Sequence, residues 1–182
     1  MSVGTAESIV KSLTQELYLP PKCFDHMIVH HVLSMVVQKY SGRCIQDIGL
    51  IEDILQITKL ENKISKSSLY AEFTVTFDAR IVNPTEGQVV HFAVEQIQEA
   101  GVFGAVSKVL RMFIPHSLME EWEFQKDDTN AEHNRLVKDG RSVTVGQVIS
   151  ARIKHVKFIA DRASGVDRFG CVCEWVDVDV DV

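Results

Sequence analysis

The stretch of residues 71–94 constrains the fold most, because two alternating patterns flank a rigid break. In residues 71–81 the odd-numbered side chains are small or apolar, and the even-numbered ones are polar. A period of two predicts a half-buried strand with one face in water. Pro84 and Gly87 then end the strand, because proline fixes φ and lacks an N–H while glycine permits a turn. The alternation resumes with opposite parity at Val90, Phe92 and Val94, which indicates either a hairpin or a boundary between two domains.

Composition places the chain among ordinary globular proteins. Its 182 residues are 46% hydrophobic and 24% charged, which is enough apolar material for one medium domain or two small ones. No apolar run approaches the roughly 18 residues of a transmembrane helix, and the N-terminus lacks the basic-then-apolar pattern of a signal peptide. The net charge of −6 argues against a protein that coats nucleic acid through charge alone, but it permits a local basic face.

The sequence offers little that would support catalysis or metal binding. The four cysteines show no Cys-x-x-Cys spacing, which favours an intracellular protein with reduced, mostly buried thiols. His26 and His30 have the spacing of helical metal ligands, but no general base lies between them, so we interpret them as solvated or partner-facing. Cys171 and Cys173 share one face of a strand and are expected in the core. With no phosphate-binding glycine loop and no Gly-x-Ser-x-Gly motif, we expect no catalytic residues, no metal and no cofactor.

The first half of the chain predicts an antiparallel sheet with one helix laid across it. We predict strands over residues 9–19 and 43–57, a helix over 22–38, and a polar loop over 59–68 that leads into the strand at 71–81. Apolar residues cover well over half of the helix circumference. Such a helix must be covered on two sides, by its own sheet and by something else.

The second half is nearly all β. The predicted elements are three strands, a short helical turn, a polar stretch and two further strands, over residues 88–98, 101–106, 109–114, 115–121, 126–141, 142–159 and 166–176 respectively. Five strands with a helical element after the third follow the order of an OB barrel. We therefore interpret the break at 84–87 as a domain boundary and predict an N-terminal domain over 1–86 and a C-terminal domain over 87–182.

With these elements in place, nearly the whole chain resembles the larger stalk subunit of multisubunit DNA-dependent RNA polymerases. This family contains the seventh subunit of eukaryotic polymerase II and its archaeal counterpart. The resemblance lies in the order and spacing of several short elements. These are Ala71-Glu72-Phe73, Val75, Pro84, Gly87, Val89 and Val90, then Gly101 and Phe103, then Phe113-Ile114 followed by Leu118-Met119, together with the segment SGRCIQDIGLIEDIL in the tip domain.

The resemblance implies an α+β fold and a non-catalytic role in transcription. The N-terminal antiparallel sheet with its helix would be the tip domain, and the C-terminal part would be a five-stranded OB (S1-like) barrel. The implied partners are the largest subunit and core of the polymerase, the fourth-subunit homologue in a heterodimer, and single-stranded nascent RNA, without a membrane. The implied role is support of transcription initiation, in the nucleus or, for a viral homologue, in a virion or a cytoplasmic viral factory.

Two groups of site residues follow from this resemblance and from the chemistry of OB barrels. Bases stack on aromatic side chains of the second and third strands, and cations follow the phosphates. The RNA-binding candidates are Phe103, Lys108, Arg111, Arg152, Lys154 and Lys157, with Arg162 and Arg168 as further cations. Phe92 and Phe113 are expected in the core instead. The candidates for docking on the polymerase core are Pro20, Pro21, Lys22, Leu60, Asn62 and Ile64.

The charge around the RNA-binding candidates is modest. Between residues 143 and 173 five Lys/Arg stand against two Asp, a local charge of +3 before Glu174 and the tail are counted. We therefore expect weak, sequence-tolerant and salt-sensitive RNA binding.

The chain departs from the family pattern at two places. Ser107-Lys108 stands where the family often has a glycine-proline pair, and residues 177–182 form an alternating Asp/Val tail that the family lacks. The tail extends the last strand or ends the chain as a solvated acidic segment. These departures leave open a polymerase I, II or III subunit, an archaeal form or a viral copy, and also a free-standing S1-like RNA-binding protein that uses the barrel alone.

Overall fold

The computed structural model describes residues 7–63, 71–119, 121–127, 130, 133–161, 163 and 165–176. Over these residues the fold is α+β, mostly sheet, with a single α-helix. The chain divides into two compact units, one over Ser8–Asn83 and the other beginning at Pro84. Among the helices of the described residues, none is long and apolar enough to cross a membrane.

A four-stranded antiparallel sheet forms the first unit, in the order β1-β4-β3-β2. Its elements are β1 (Ser8–Leu19), a 3-10 turn (Pro21–Cys23), α1 (Ile28–Tyr40), β2 (Arg43–Ile45), β3 (Gly49–Lys63) and β4 (Ala71–Val82). The alternation that predicted β4 is confirmed, because Phe73, Val75, Phe77, Ala79 and Ile81 are all buried. Together with residues of β1, β3 and α1 they form the core of this unit.

The helix begins six residues later than predicted, at Ile28 rather than at residue 22. Two features hold the preceding segment outside the helix. Phe24 lies at φ −93° and ψ 68°, outside the helical region. The carboxylate of Asp25 accepts a hydrogen bond from the backbone N–H of Met27 at 2.8 Å, as in a turn. His26 therefore precedes α1, and the expected pairing of His26 with His30 on one helix is wrong.

One stripe of α1 faces the sheet. Val32, Val36 and Tyr40 are buried, and the Tyr40 ring stacks on Phe77 with centroids 5.7 Å apart. On another side of the helix Val29 and Val37 are exposed by 56% and 41%. The wide apolar circumference that the sequence predicted is thus only partly covered by the residues that the structure describes.

The predicted strand over 43–57 is wrong in its extent. It is two strands, β2 and β3, separated by a turn in which Asp47 adopts φ 66°. Gly49 starts β3 at φ 120°, and a Cβ there would lie 2.7 Å from the Val82 carbonyl oxygen.

The predicted loop over 59–68 is strand as far as residue 63, since β3 pairs with β4 from Leu50↔Val82 to Lys63↔Glu72. Three irregularities of register in this pairing break the alternation that would have revealed a strand. Residues 64–70 lie outside the described part of the chain.

The second unit contains a closed barrel of five strands in the order β11-β12-β7-β6-β5. The barrel consists of β5 (Val89–Gln98), β6 (Gly101–Ser107), β7 (Leu110–Pro115), β11 (Val148–Ile159) and β12 (Arg168–Trp175). A 3-10 turn at His116–Leu118 follows β7, and three further strands, β8 (Glu123–Gln125), β9 (Arg135–Lys138) and β10 (Arg141–Thr144), lie outside the barrel. Strands β7 and β12 pair in parallel, and the other barrel pairs are antiparallel. The five strands and the helical turn after the third confirm the predicted barrel, which is consistent with an OB-like fold.

A small sheet in the order β10-β9-β8 was missed in the sequence. The polar stretch predicted over 126–141 contains β9, and the strand predicted over 142–159 is split into β10 and β11 by a turn at Gly146. Strands of three or four residues are too short to establish a period of two. Leu136 and Val143 are nevertheless buried, so this sheet has an apolar side.

Candidate nucleic-acid interface

The outer surface of the barrel carries two phenylalanines directly opposite each other. Phe103 of β6 pairs in register with Phe113 of β7, and their rings stack with centroids 4.5 Å apart and an angle of 25°. Both are half-buried, whereas their neighbours Val102, Met112 and Ile114 are fully buried inside the barrel. The expectation that Phe113 belongs to the core is therefore wrong, because alternation gives the interior positions of β7 to Met112 and Ile114. Phe92 is fully buried, as predicted.

The register of the barrel extends this pair into a row across four strands. Phe113 pairs with Val172 of β12, and Val172 pairs with His155 of β11. We call Phe103, Phe113, Val172 and His155 the stacking row. Its exposed end is His155, whose side chain is 79% exposed and lies 3.3 Å from a carboxylate oxygen of Glu86.

A second row lies beside the first, two residues earlier on β7. Ala105 pairs with Arg111, Arg111 with Gly170, and Gly170 with Lys157. We call these four residues the cationic row. It puts two positive side chains next to the stacking row, separated by a glycine that adds no side chain between them.

Carboxylates neutralise most of the predicted cations. Arg111 is paired with Glu95, and Arg168 lies 3.2 Å from Asp161. Arg152 and Lys154 both contact Glu174, at 3.4 and 2.7 Å.

Two of the predicted cations are not neutralised in this way. Lys108, in the turn between β6 and β7, and Lys157 form no ion pair with another described residue. Arg162 lies outside the described residues, as does the acidic tail at 177–182.

The structure brings the described docking candidates to one end of the four-stranded sheet. Pro20, Pro21 and Lys22 follow the last residue of β1, which pairs with Ala71 of β4. Asn62 of β3 pairs with Phe73 on the other side of β4. Leu60 and Asn62 belong to β3 and not to the loop that the sequence predicted. Leu60 is half-buried against the core, so its side chain is only partly available to a partner. Ile64 lies outside the described residues.

The thiols and the histidines show no catalytic arrangement within the described residues. Burial raises the pKa of both Cys171 and Cys173 to about 12, which keeps these thiols protonated and unreactive at neutral pH. The Asp25 carboxylate accepts hydrogen bonds from the Met27 N–H and from His31, and these hold its pKa below the ordinary value. In the described ranges no three metal-binding side chains form a group.

Sequence reasoning identified Lys157 but missed His155, Val172 and Gly170, which complete the two rows. Regular alternation would put His155 and Lys157 on the same inner face as the buried Ile153. An irregularity of register between Ile153 and His155 turns both side chains to the outside instead. The parallel contact between β7 and β12 joins residues about 60 positions apart, so no local pattern reveals it.

The two rows together form a surface suited to a single nucleic-acid strand. Aromatic faces stack bases of any sequence, and neighbouring cations hold the phosphates between them. A comparison with models of known protein families gave no match for this chain. The functional assignment therefore depends on the residues and on their geometry.

Proposed function

We propose that this chain is a non-catalytic stalk subunit of a DNA-dependent RNA polymerase, and that its barrel contacts single-stranded nascent RNA. In this proposal the unit Ser8–Asn83 is the tip domain, which docks on the polymerase core, and the unit beginning at Pro84 is an S1-like OB domain. The subunit supports transcription initiation and acts in the nucleus or, for a viral copy, in a virion or viral factory. The resemblance stated above and the closed five-stranded barrel support this assignment.

The stacking row beside the cationic row is the observation that carries the RNA-binding part. Phe103 and Phe113 lie on the second and third strands of the barrel, where OB folds bind oligonucleotides. Base stacking on such side chains is worth about 1–3 kcal/mol per base and tolerates any sequence. Since carboxylates occupy several cations, the charge contribution is small and binding is weak.

Exposed apolar side chains support the assembly part. Around α1, Phe24, Met27, Val29 and Val37 are exposed by 45%, 45%, 56% and 41%. Apolar groups gathered in one region of a surface mark contact sites with other proteins. We assign this region to the fourth-subunit homologue, and we assign the sheet end with Pro21, Lys22 and Asn62 to the largest subunit at the base of the clamp.

Two measurements test the assembly part and the RNA-binding part of the proposal. The tagged chain is co-expressed with the fourth-subunit homologue, and complexes from the native cell or virion are isolated and their chains identified. In parallel, binding of a labelled single-stranded RNA is measured by fluorescence anisotropy at low and moderate salt. The proposal predicts polymerase subunits in the complex and RNA binding that weakens with salt.

Two other results would separate the alternatives. RNA binding by a monomer that ignores the polymerase would favour the second candidate, a free-standing S1-like RNA-binding protein, which the barrel surface alone would serve. Association with the polymerase but no RNA binding would leave the barrel as a spacer and would contradict the RNA-contacting role.

A further inference from the structure

A cavity lies where the small sheet meets one end of the barrel. It has a volume of about 350 Å³ and is lined by Trp122, Trp175, Arg141, Val148 and Ser150 among others. The two indole rings lie with centroids 4.6 Å apart and an angle of 48°. The two rings are in contact with each other, so a ligand in this open cavity can stack only on the part of a ring that remains exposed. Trp175, which is half-buried, offers the larger such part.

Each aromatic wall is held by a defined element. Trp122 is 5% exposed, and its backbone N–H donates to the Met119 carbonyl oxygen at 2.8 Å. Lys138 Nζ lies 6.0 Å from the centroid of the Trp122 ring and pairs with Glu121. Trp175 ends β12 and is half-buried. Trp122 therefore supports the ring of Trp175, and Trp175 is the ring that a ligand can reach.

Polar groups at the cavity can recognise the edge of a planar ligand. Arg141 is exposed and supplies N–H donors. Gln147 uses its side-chain oxygen to accept the Thr144 N–H at 3.1 Å, so its amide group remains a donor. Ser150 contributes a hydroxyl, which contacts His91 Nδ1 at 2.7 Å.

The cavity continues the surface formed by the cationic and stacking rows. Ser150 lies two residues before Arg152 on the same side of β11, roughly 7 Å away along the strand. On β12, Val176 donates its N–H to the Ser150 carbonyl oxygen at 3.2 Å, and Glu174 lies two residues before it. A strand of RNA that crosses the stacking row therefore meets Arg152 and then the cavity.

We propose that this cavity binds one unstacked nucleobase of the same RNA strand that lies on the stacking row. The inference rests on the proposed RNA binding and extends it. The volume falls at the lower end of the range of about 300–1,000 Å³ for small-ligand pockets, which suits a single base. Single-stranded RNA is read by taking bases out of the stack, placing them against aromatic rings and binding their edges with polar side chains.

Intrinsic fluorescence tests this directly, because Trp122 and Trp175 are the two tryptophans of the chain. The full-length protein is titrated with a single-stranded RNA 12-mer and with an abasic strand of equal length, and anisotropy of a labelled RNA is followed in parallel. We expect a saturable change in tryptophan emission with the base-containing strand at the concentrations that raise the anisotropy. The abasic strand should leave the emission nearly unchanged.

Variants at the cavity give a second readout. Arg141→Ala removes the donor, and Val148→Phe adds a ring at an exposed lining position (48% exposed). Each should weaken the fluorescence-detected affinity about fivefold or more, because the loss of one stacked base costs about 1–3 kcal/mol. Arg135→Ala, on β9 but outside the cavity, is the matched control and should change little.

Four outcomes would overturn the inference. If RNA raises the anisotropy but leaves tryptophan emission unchanged, or if both variants behave like wild type, the base pocket is wrong while RNA binding stands. If neither signal responds to RNA, the proposed RNA binding itself fails. If deletion of residues 177–182 alters the emission without RNA, and RNA does not, the acidic tail occupies the cavity instead.

Discussion

Phe103 and Phe113 stack on each other across β6 and β7, on the outside of a barrel whose inside is filled by their sequence neighbours. Such cross-strand aromatic pairs stabilise antiparallel strands by about 0.2–1 kcal/mol in their own right. In the proposed function this pair has a second role, as a flat apolar surface for bases.

Replacing Phe103 by leucine should weaken single-stranded RNA binding about fivefold or more, since leucine retains apolar volume but has no ring to stack on a base. Phe158→Leu is the matched control, because Phe158 is also half-buried but contacts Phe169 away from the stacking row. Anisotropy titrations of both variants measure the effect. Equal affinities for the two would contradict a stacking role.

Lys157→Ala should lower the salt dependence of RNA binding by about 0.7 in the slope of log K against log salt, the value for one phosphate contact on a single strand. Lys154→Ala should change the slope less, because Lys154 already pairs with Glu174 at 2.7 Å. Binding curves at four salt concentrations give the slopes. A larger effect of Lys154→Ala would show that the ion pair with Glu174 does not restrain this lysine.

Gly49→Ala should destabilise the first unit by at least about 2 kcal/mol, because the new Cβ would clash with the Val82 carbonyl oxygen at 2.7 Å and φ is 120°. Gly42→Ala is the control, since Gly42 has φ 73° but no atom within 4 Å of a Cβ. The Gly42→Ala variant should lose only the roughly 1–2 kcal/mol of stability that a left-handed backbone conformation costs a residue with a side chain. Urea unfolding monitored by circular dichroism compares the two, and a Gly49 variant no less stable than the Gly42 variant would contradict the predicted clash.

The Asp78 carboxylate accepts hydrogen bonds from Ser12 and from Gln56, and these hold its pKa below the ordinary value of 3.8. Its stabilising contribution is therefore fully present above pH 3.8 and is lost as the pH falls through the lower pKa of the folded state. Asp78→Asn should lower the melting temperature at pH 7 and reduce the further fall on acidification. If the variant and the wild type lose stability in parallel below pH 4, other carboxylates dominate the acid response.

An element of the fold could be predicted where the sequence pattern that indicates it lies within one short segment of the chain. The strand β4 follows from the alternation over residues 71–81, which is typical of a half-buried strand. The strands β6 and β7 follow from short apolar runs between turn residues. The start of α1 was less predictable, because the turn before the helix depends on the hydrogen bond from Met27 N–H to Asp25 and on the dihedral angles of Phe24. Apolar periodicity shows neither feature. Boundaries of this kind depend on single hydrogen bonds.

The candidate site was predictable only in part, for a reason of topology. Phe103, Arg111 and Lys157 were identified from strand order and residue type. Val172 and His155 were missed, because their neighbours come from the β7–β12 contact and from an irregularity within β11. The modest local charge was counted without Glu95 and Glu174, and only the structure shows that these two carboxylates lie against the cations.

If the barrel binds RNA as proposed, Glu174 should limit the affinity, since one carboxylate engages both Arg152 and Lys154 and is itself only 25% exposed. A phosphate that approaches these cations must displace it. Glu174→Gln keeps the size and polarity of the side chain but removes its charge, so both cations become available. We expect tighter binding at low salt and a slope of log K against log salt that is steeper by up to about 1.4, the value for two additional phosphate contacts on a single strand.

Glu123→Gln controls for the change in net charge, because Glu123 lies on the small sheet and has no contact with these cations. If the two variants gain equally, the effect comes from net charge and Glu174 has no specific role, whereas a gain confined to Glu174→Gln places the RNA phosphates at Arg152 and Lys154.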